Sequence, residues 1–294
     1  ADRLAFYVDD MYLHYNEISG WTTLIGGLFF FIQVYCDFSG YSDIALGAAK
    51  VIGIDVMENF KRPFFAKNLA DFWTRWHISL STWLTDYVFF YLGAYKASSK
   101  RVVFNVIFVL ALCGLWHGAN WPMVLSFTMV GVFMAIRYIW QSSVVRAIKP
   151  SNSYRLFDKY FPDFAHSIIT ILLFLFCFLL FRVHTAQVAI NHLHPKAYVE
   201  WTTIAKTLYG NLFKLHTANY FHTWMMNKGA IQFGVVLFFM FILFTTEALI
   251  GDTKIESVVL TKNKITRWVI YSLLLMSIVW FGIFNNTSFV YFQY

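Results

Sequence analysis

Long apolar stretches separated by short polar and basic connections form the main pattern along this chain. They are solid apolar runs, not the alternation of apolar and polar positions that indicates strands. A helix satisfies all of its backbone hydrogen bonds inside lipid, so the pattern predicts an all-α fold, a polytopic transmembrane helical bundle. The stretches cover residues 22–36, 41–54, 102–116, 121–141, 166–183, 232–250 and 267–284. The first two fit either one interrupted span or a hairpin.

The composition agrees with a chain that lies in lipid. Apolar residues make up 59% of the chain and charged residues 13%, whereas soluble domains average about 45–50% and about 25%. These values exclude an ordinary cytosolic enzyme, a disordered chain and a disulfide scaffold. Cys36, Cys113 and Cys177 each lie inside an apolar stretch, where we expect small core residues.

The formal net charge of +7 comes from lysines and arginines in the connections between the spans. Cytoplasmic loops of membrane proteins carry an excess of these residues. The rule predicts that segments 61–101, 137–160 and 252–267 lie inside, and that the less basic segment 184–230 lies outside. Membrane topology therefore accounts for the positive charge, and we expect no nucleic-acid partner.

The segment 55–101 is amphipathic and differs in kind from the spans. Asn68 followed by Asp71 is typical of a helix N-terminus. On one continuous helix, an apolar stripe of Trp76, Leu80, Trp83 and Tyr87 would lie beside a polar stripe of Arg75, Ser79, Thr82 and Asp86, with Trp73 and His77 on a third face. This helix fits either an interfacial location or the mouth of a channel that admits a donor molecule.

His117 is the strongest candidate for chemistry in the sequence. It lies between two apolar spans, and we expect it near the outer boundary of the hydrocarbon. Gly114 and Gly118 permit a close backbone approach, and Pro122 weakens the local helix. An imidazole is suited to general-base work near neutral pH. A histidine that only bonds between helices, or caps a tight hairpin, fits the same pattern.

Asp37, Ser39 and Asp43 interrupt another apolar stretch, and Ser39 and Asp43 share a face if the stretch is helical. They fit either a kink with capping aspartates or a polar lining for a substrate path. The histidines of segment 184–230, among them His192 and His194, match no standard ligand spacing, so no metal site is predicted. The chain also has no G-x-S-x-G elbow, phosphate loop or G-x-G-x-x-G motif.

Several motifs in order resemble the membrane-bound O-acyltransferase family, with the alginate and polysaccharide O-acetyltransferase branch most similar. They are residues 37–45 (DFSGYSDIA), 58–60 (ENF), 72–83 (FWTRWHISLSTW), 114–119 (GLWHGA) and 289–294 (FVYFQY). The resemblance implies a ring of helices around a thin central channel, with an acyl thioester entering from the cytoplasm and the acceptor from the opposite face. The family's essential histidine corresponds to His117 and its second motif histidine to His77.

The resemblance implies O-acetylation of an exported polysaccharide such as alginate or peptidoglycan, in a bacterial cytoplasmic (inner) membrane. The donor would be acetyl-CoA or another acyl thioester, CoA-borne or carried by a protein, with no bound cofactor. A periplasmic acetyltransferase or esterase-like protein and membrane lipid would be the partners. Expected substrate-binding or channel-lining residues are Trp116, Asn120, Asp37, Ser39, Asp43, Trp73, Arg75, Trp76, Ser79 and Asp86. Trp116 and Asn120 would stabilise an oxyanion.

Two alternatives remain open on the sequence. One is D-alanyl transfer to teichoic acid from a carrier protein, and the other is a non-enzymatic transporter or channel. Thr85 stands where the family commonly has an arginine, which affects the expected donor contacts. The family is longer upstream, so we expect residues 1–294 to be one N-terminally incomplete membrane domain, with a cytoplasmic or interfacial segment at 55–101 and an outer region at 184–230.

Overall fold

A computed structural model describes most of the chain, and all its regular elements there are helices. The described residues are 1–96, 98–147, 163–195, 198–214, 221, 224–226, 229–251, 253 and 255–283. For residues 95 and 141–147 the backbone is described but the side chains are not. The α-helices are α1 (Asp2–Leu13), α2 (Gly20–Val51), α3 (Leu69–Arg75), α4 (Ile78–Leu84), α5 (Ser99–His117), α6 (Trp121–Ala147), α7 (Asp163–Phe178), α8 (Val183–Leu193), α9 (Trp201–Asn211), α10 (Ala230–Ile250), α11 (Ile255–Leu260) and α12 (Lys264–Phe281). Short 3₁₀ turns cover Pro63–Phe65 and Ala94–Lys96, and a π-helical turn covers Thr85–Phe89. The motif at 289–294 lies outside the described residues.

The predicted membrane bundle is confirmed. Within the described ranges, 6 helical stretches are long and apolar enough to cross a bilayer. They are Gly20–Val51, Ser99–His117, Trp121–Trp140, Asp163–Leu193, Ala230–Ile250 and Lys264–Phe281. The first is one continuous helix, so both alternatives for residues 22–54, an interrupted span and a hairpin, were wrong, and Asp37 and Asp43 cap no broken helix end.

The core surrounds the middle of α2. Residues 29–35 of this helix are all buried, which means that other elements cover it on every side. The ring of Phe31 lies 5.0 Å from the rings of both Phe64 and Phe174. Cys113 and Cys177 are buried free thiols, as predicted, and Cys36 is half-buried. The interior is therefore an aromatic core, and it supports the polar residues described below.

Helices α5 and α6 form a tight hairpin that ends at His117. A Cβ atom on Gly114 would lie 2.6 Å from the carbonyl oxygen of Met123, and one on Gly131 would lie 3.0 Å from the Cα of Ile107. Only glycine permits backbones to approach this closely. The close approach predicted at Gly114 is thus confirmed, and it fixes the end of α5 against the start of α6.

The predicted span 166–183 is not one continuous α-helix, because residues 179–182 form a break between α7 and α8. Side chains of other elements satisfy the carbonyl groups at this break. Tyr209 Oη donates to Phe176 O at 2.7 Å, Ser126 Oγ to Cys177 O at 2.9 Å, and Tyr12 Oη to Leu179 O at 2.7 Å. Irregular backbone is tolerated at membrane depth where protein groups supply such bonds.

The continuous helix predicted after Asn68 was also wrong. The Asn68 cap is confirmed, since its Oδ1 accepts from Ala70 N and Asp71 N, but α3 ends at Arg75. Trp76 is extended, and α4 begins after His77. The predicted apolar stripe is therefore divided between the protein core and the protein surface. Trp76 and Leu80 are buried, whereas Trp83 and Tyr87 are 55% and 68% exposed.

Backbone pairing with an upstream segment explains why the helix breaks there. Phe60 and Trp76 form an antiparallel bridge, Lys61 N donates to Arg75 O at 3.0 Å, and Ile78 N donates to Asn59 O at 3.0 Å. These bonds take up backbone groups that a continuous helix would use internally. Helices α8 and α9 lie in segment 184–230, and its outer location stays a prediction.

Candidate active site

The break between α3 and α4 brings His77 next to His117. The centroids of the two imidazole rings are 6.3 Å apart, and the ring planes meet at 73°. The sequence predicted His117 near the outer boundary of the membrane and His77 in an inner segment. Two rings 6.3 Å apart cannot lie at opposite boundaries of a hydrocarbon core about 30 Å thick, so that expectation was wrong. Both rings are half-buried and belong to one site.

Aromatic rings surround His117 at the end of α5. Its imidazole stacks on Phe127 with a centroid distance of 4.9 Å and an interplanar angle of 11°, and the edge of Phe181 approaches at 5.4 Å. The indole of Trp116 lies 4.9 Å away. The imidazole thus faces the protein interior, in apolar surroundings where electrostatic interactions are stronger than in water.

The turn after His117 places Asn120 beside the site. Asn120 Oδ1 accepts a hydrogen bond from Met123 N at 3.1 Å and caps the start of α6. Its Nδ2 lies 2.9 Å from the position that a Cβ atom on Gly118 would take. The carbonyl half of this amide therefore has a structural role, and the amino half lies along the backbone that follows His117.

His77 has an unusual backbone conformation. Its φ angle of 46° lies in the left-handed region, which non-glycine residues adopt rarely and which is often found at functional sites. Its ring lies 4.7 Å from Phe38 and 5.6 Å from Trp116, centroid to centroid. Burial lowers the pKa of His77 to about 4. The imidazole is therefore neutral at pH 7.

A polar cluster formed by Ser42, Asn59 and Ser79 supports His77. Asn59 Oδ1 accepts from Ser79 N at 3.2 Å and from Ser79 Oγ at 2.7 Å. Asn59 Nδ2 donates to Ser42 Oγ at 3.3 Å, and Ser79 Oγ lies 3.4 Å from His77 Nδ1. The cluster joins α2, the segment before α3, and the start of α4 around one imidazole.

The structure brings some of the other predicted residues to the site. Trp116 contacts both histidines, and Ser79 contacts His77. Trp73 lies 6.4 Å from Phe127, the ring that stacks on His117. These residues, with Asn120, form the part of the predicted set that surrounds the two imidazoles.

The remaining predicted residues have other surroundings. Trp76 is buried in the core, 5.4 Å from Phe72. The guanidinium of Arg75 pairs with Asp71 at 2.7 Å and donates to Lys61 O at 3.4 Å, so it binds its own segment. Four acidic or polar residues lie elsewhere: on α2, Asp37 and Ser39 are half-buried and Asp43 is exposed, and Asp86 in the π-helical turn is exposed.

Several residues that build this site were not predicted from the sequence. On α2, Phe38 and Ser42 face His77 and its polar cluster, whereas Ser39 and Asp43 lie on a neighbouring face. Asn59 lies in the ENF motif at residues 58–60, so the sequence did contain a signal for this residue. Phe181 comes from the break after α7, and no glycine or proline marks that break in the sequence. In the described part of the chain, no group of three or more His, Cys, Asp or Glu residues could hold a metal ion.

Comparison with known families gives a match over the first half of the chain. The model of MBOAT, the membrane-bound O-acyltransferase family, matches residues 5–155, which include both histidines of the site.

Curated proteins with similar sequences are acyl-transferring enzymes by name. The probable alginate O-acetylase AlgI of Pseudomonas aeruginosa is 35% identical over 190 residues, 64% of this chain and 34% of that protein. The peptidoglycan O-acetyltransferase of Helicobacter pylori is 35% identical over 139 residues, 46% of this chain and 26% of that protein. The teichoic acid D-alanyltransferase of Bacillus subtilis is 43% identical over 94 residues, 30% of this chain and 24% of that protein. The matched regions span about a third or less of each relative.

Proposed function

This chain belongs to the membrane-bound O-acyltransferase family, and from that premise we propose that its two histidines serve the transfer of an acyl group from a thioester donor to a hydroxyl. The observation that carries the proposal is the single site formed by His77 and His117, whose rings lie 6.3 Å apart. Two titratable rings in an aromatic pocket of a multi-pass membrane protein are costly to maintain without a function.

His117 is the general base in this mechanism. It takes the proton of the acceptor hydroxyl while the hydroxyl oxygen attacks the thioester carbonyl carbon. The tetrahedral intermediate then collapses, the carbon–sulfur bond breaks, and the departing thiolate takes the proton back from the imidazolium. The products are an ester and a free thiol, and no further reactant is needed.

Groups near His117 are suited to stabilise the intermediate and to exclude water. The N–H of Trp116 and the Nδ2 of Asn120 are the donors that would face the developing oxyanion. The rings of Phe127 and Phe181 cover the other sides of the imidazole. An apolar wall is useful here because a thioester at a wet site would be hydrolysed.

We propose that the acyl group is acetyl and that the acceptor is an exported polysaccharide such as alginate or peptidoglycan. The similarity to the alginate and peptidoglycan enzymes supports this choice. In this proposal acetyl-CoA or another thioester approaches from the cytoplasm, the site lies in a bacterial inner membrane, and a periplasmic acetyltransferase or esterase-like partner passes the group onward. No resident cofactor takes part.

D-alanyl transfer to teichoic acid is a second candidate, supported by the similarity to the Bacillus subtilis protein. The two candidates differ in the donor that the site accepts. Purified full-length protein should be offered acetyl-CoA and, separately, a D-alanyl thioester on a carrier protein. Release of free thiol with only the second donor would favour D-alanyl transfer.

Substitution of His117 tests the enzymatic proposal. In the full-length protein, His117→Ala should lower the acetyl content of the secreted polymer at least about a hundredfold, which is the lower range for a general base. His192→Ala is the matched control, because His192 is exposed at the end of α8. Normal acetylation by His117→Ala, with the protein present in the membrane, would contradict the proposal and leave the transporter alternative.

A further inference from the structure

The polar cluster beside His77 contains enough fixed donors and acceptors to determine which ring nitrogen carries the proton. The backbone N–H of Ser79 can only donate a hydrogen bond. It lies 3.2 Å from a side-chain atom of Asn59. That atom must be the amide oxygen, so the orientation of the Asn59 amide follows from the hydrogen-bond pattern.

The amide orientation next determines the direction of the Ser79 hydroxyl. A hydroxyl has one hydrogen to donate, and Ser79 Oγ has Asn59 Oδ1 at 2.7 Å and His77 Nδ1 at 3.4 Å. The usual O–H···O distance is about 2.7–2.8 Å. The hydrogen therefore points to Asn59, and Ser79 Oγ presents only lone pairs to His77.

A lone pair on Ser79 Oγ requires a hydrogen on His77 Nδ1 for a bond to form. Because burial keeps this imidazole neutral at pH 7, one ring nitrogen carries a hydrogen and the other a lone pair. We infer that Asn59 and Ser79 are positioning residues that hold His77 as the Nδ1–H tautomer, with its lone pair on Nε2.

This inference rests on the proposed function for its catalytic consequence, although the tautomer itself follows from the hydrogen bonds. A fixed Nε2 lone pair makes His77 a hydrogen-bond acceptor for the hydroxyl or for an imidazole N–H in the site. The opposite tautomer would present a donor at Nε2 instead, and a site that needs an acceptor would fail. Asn59 and Ser79 thus act through His77, without contact to the reacting atoms.

Asn59 also has a purely structural role, so its substitution is a poor test. Its backbone oxygen and its Oδ1 accept from Ile78 N and Ser79 N, the first donors of α4. Ser79→Ala is cleaner, because it removes only the hydroxyl. Ser79→Thr keeps the hydroxyl and serves as the conservative variant. Ser81→Ala is the matched control, since Ser81 Oγ donates to Ile78 O on the same helix and does not bond to His77.

The tautomer is measured by nitrogen NMR of full-length protein labelled with ¹⁵N-histidine, with the His77 signals assigned from their loss in His77→Gln. The wild type, Ser79→Thr and Ser81→Ala should show a protonated Nδ1 and an unprotonated Nε2. Ser79→Ala should shift the population toward Nε2–H. A wild-type His77 that is protonated on Nε2, or a Ser79→Ala variant with an unchanged tautomer, would overturn the inference.

The acyl-transfer assay separates this inference from the proposed function. Ser79→Ala should lower kcat about tenfold, the equivalent of one neutral hydrogen bond, with KM unchanged and Ser79→Thr near the wild type. A Ser79→Ala variant with an altered tautomer but full kcat would overturn the positioning role. Full transfer by His117→Ala would instead contradict the proposed function and leave the NMR result standing.

Discussion

The hydroxyl of Tyr12 donates a hydrogen bond to the carbonyl oxygen of Leu179, 2.7 Å away. Leu179 lies in the break between α7 and α8, two residues before Phe181, whose ring approaches His117 at 5.4 Å. A residue of α1 therefore stabilises the backbone that forms one wall of the candidate active site. Without that bond, this buried carbonyl group at membrane depth would have no partner in the described part of the chain.

Loss of the Tyr12 hydroxyl should destabilise the protein and weaken the site. Tyr12→Phe leaves the Leu179 carbonyl unsatisfied, so we expect a loss of about 1–3 kcal/mol in the free energy of unfolding. Tyr7→Phe is the matched control, since Tyr7 is buried on the same helix and its hydroxyl has no partner among the described residues. Thermal unfolding in detergent measures both. Equal effects of the two substitutions would contradict the role given to the Tyr12 bond.

A side chain on Gly114 should displace the end of α5. A Cβ atom there would lie 2.6 Å from the backbone oxygen of Met123, so Gly114→Ala forces the α5–α6 hairpin apart. We expect a cost of about 1–3 kcal/mol, as for overpacking in a core, together with reduced activity because His117 moves.

Gly47→Ala provides the control for that substitution. Gly47 lies in α2, and a Cβ atom there would have nothing within 4 Å. Alanine is the better helix former by about 1 kcal/mol, so this variant should be neutral or more stable. The unfolding temperatures of the two variants are compared, and Gly114→Ala should unfold at the lower temperature. A Gly114→Ala protein as stable as Gly47→Ala would show that the backbones of α5 and α6 are not in close contact.

The stability of the protein should decrease as the pH is lowered, because His77 titrates at a lower pH in the folded state than in the unfolded chain. Burial lowers the pKa of His77 to about 4, and in the unfolded chain it is about 6.5. Between these values the unfolded state binds a proton that the folded state does not bind. The contribution of the neutral ring is therefore complete above pH 6.5 and is lost as the pH falls toward 4.

A comparison of wild type with His77→Gln measures this dependence. The groups around the ring are Ser79, Phe38, Trp116 and His117, and of these only His117 is titratable. From pH 7 to pH 5 the wild type should lose more in unfolding temperature than His77→Gln, while His192→Gln should follow the wild type. Parallel losses in wild type and His77→Gln would contradict the lowered pKa.

The sequence predicted most of what local pattern controls. Apolar runs gave the spans, the Asn68 cap formed as expected, and Gly114 lies at a close backbone approach. Each of these features depends on the residue itself and on its near neighbours in the chain. His117 was identified for the same reason, because a titratable ring between apolar spans is unusual wherever the helices pack.

The helix breaks and the joining of the two histidines could not be predicted in this way. The break at Trp76 and His77 depends on backbone bonds from residues 59–61, which are distant in sequence. The break after Phe178 depends on side chains of other elements, such as Tyr12 and Ser126. In both places tertiary hydrogen bonds overcome a local preference for helix. The order of apolar and polar residues near each break does not indicate these bonds, because their partners lie elsewhere in the chain.

The most direct test of the account is a double-mutant cycle on the acyl-transfer rate of full-length protein, with His77→Ala, His117→Ala and the double variant. Because the two rings form one site, each single substitution should lower the rate at least about a hundredfold, and the double variant should be little slower than the slower single one. Normal transfer by either single variant, or losses that multiply as they do for independent sites, would contradict a single active site built from both histidines.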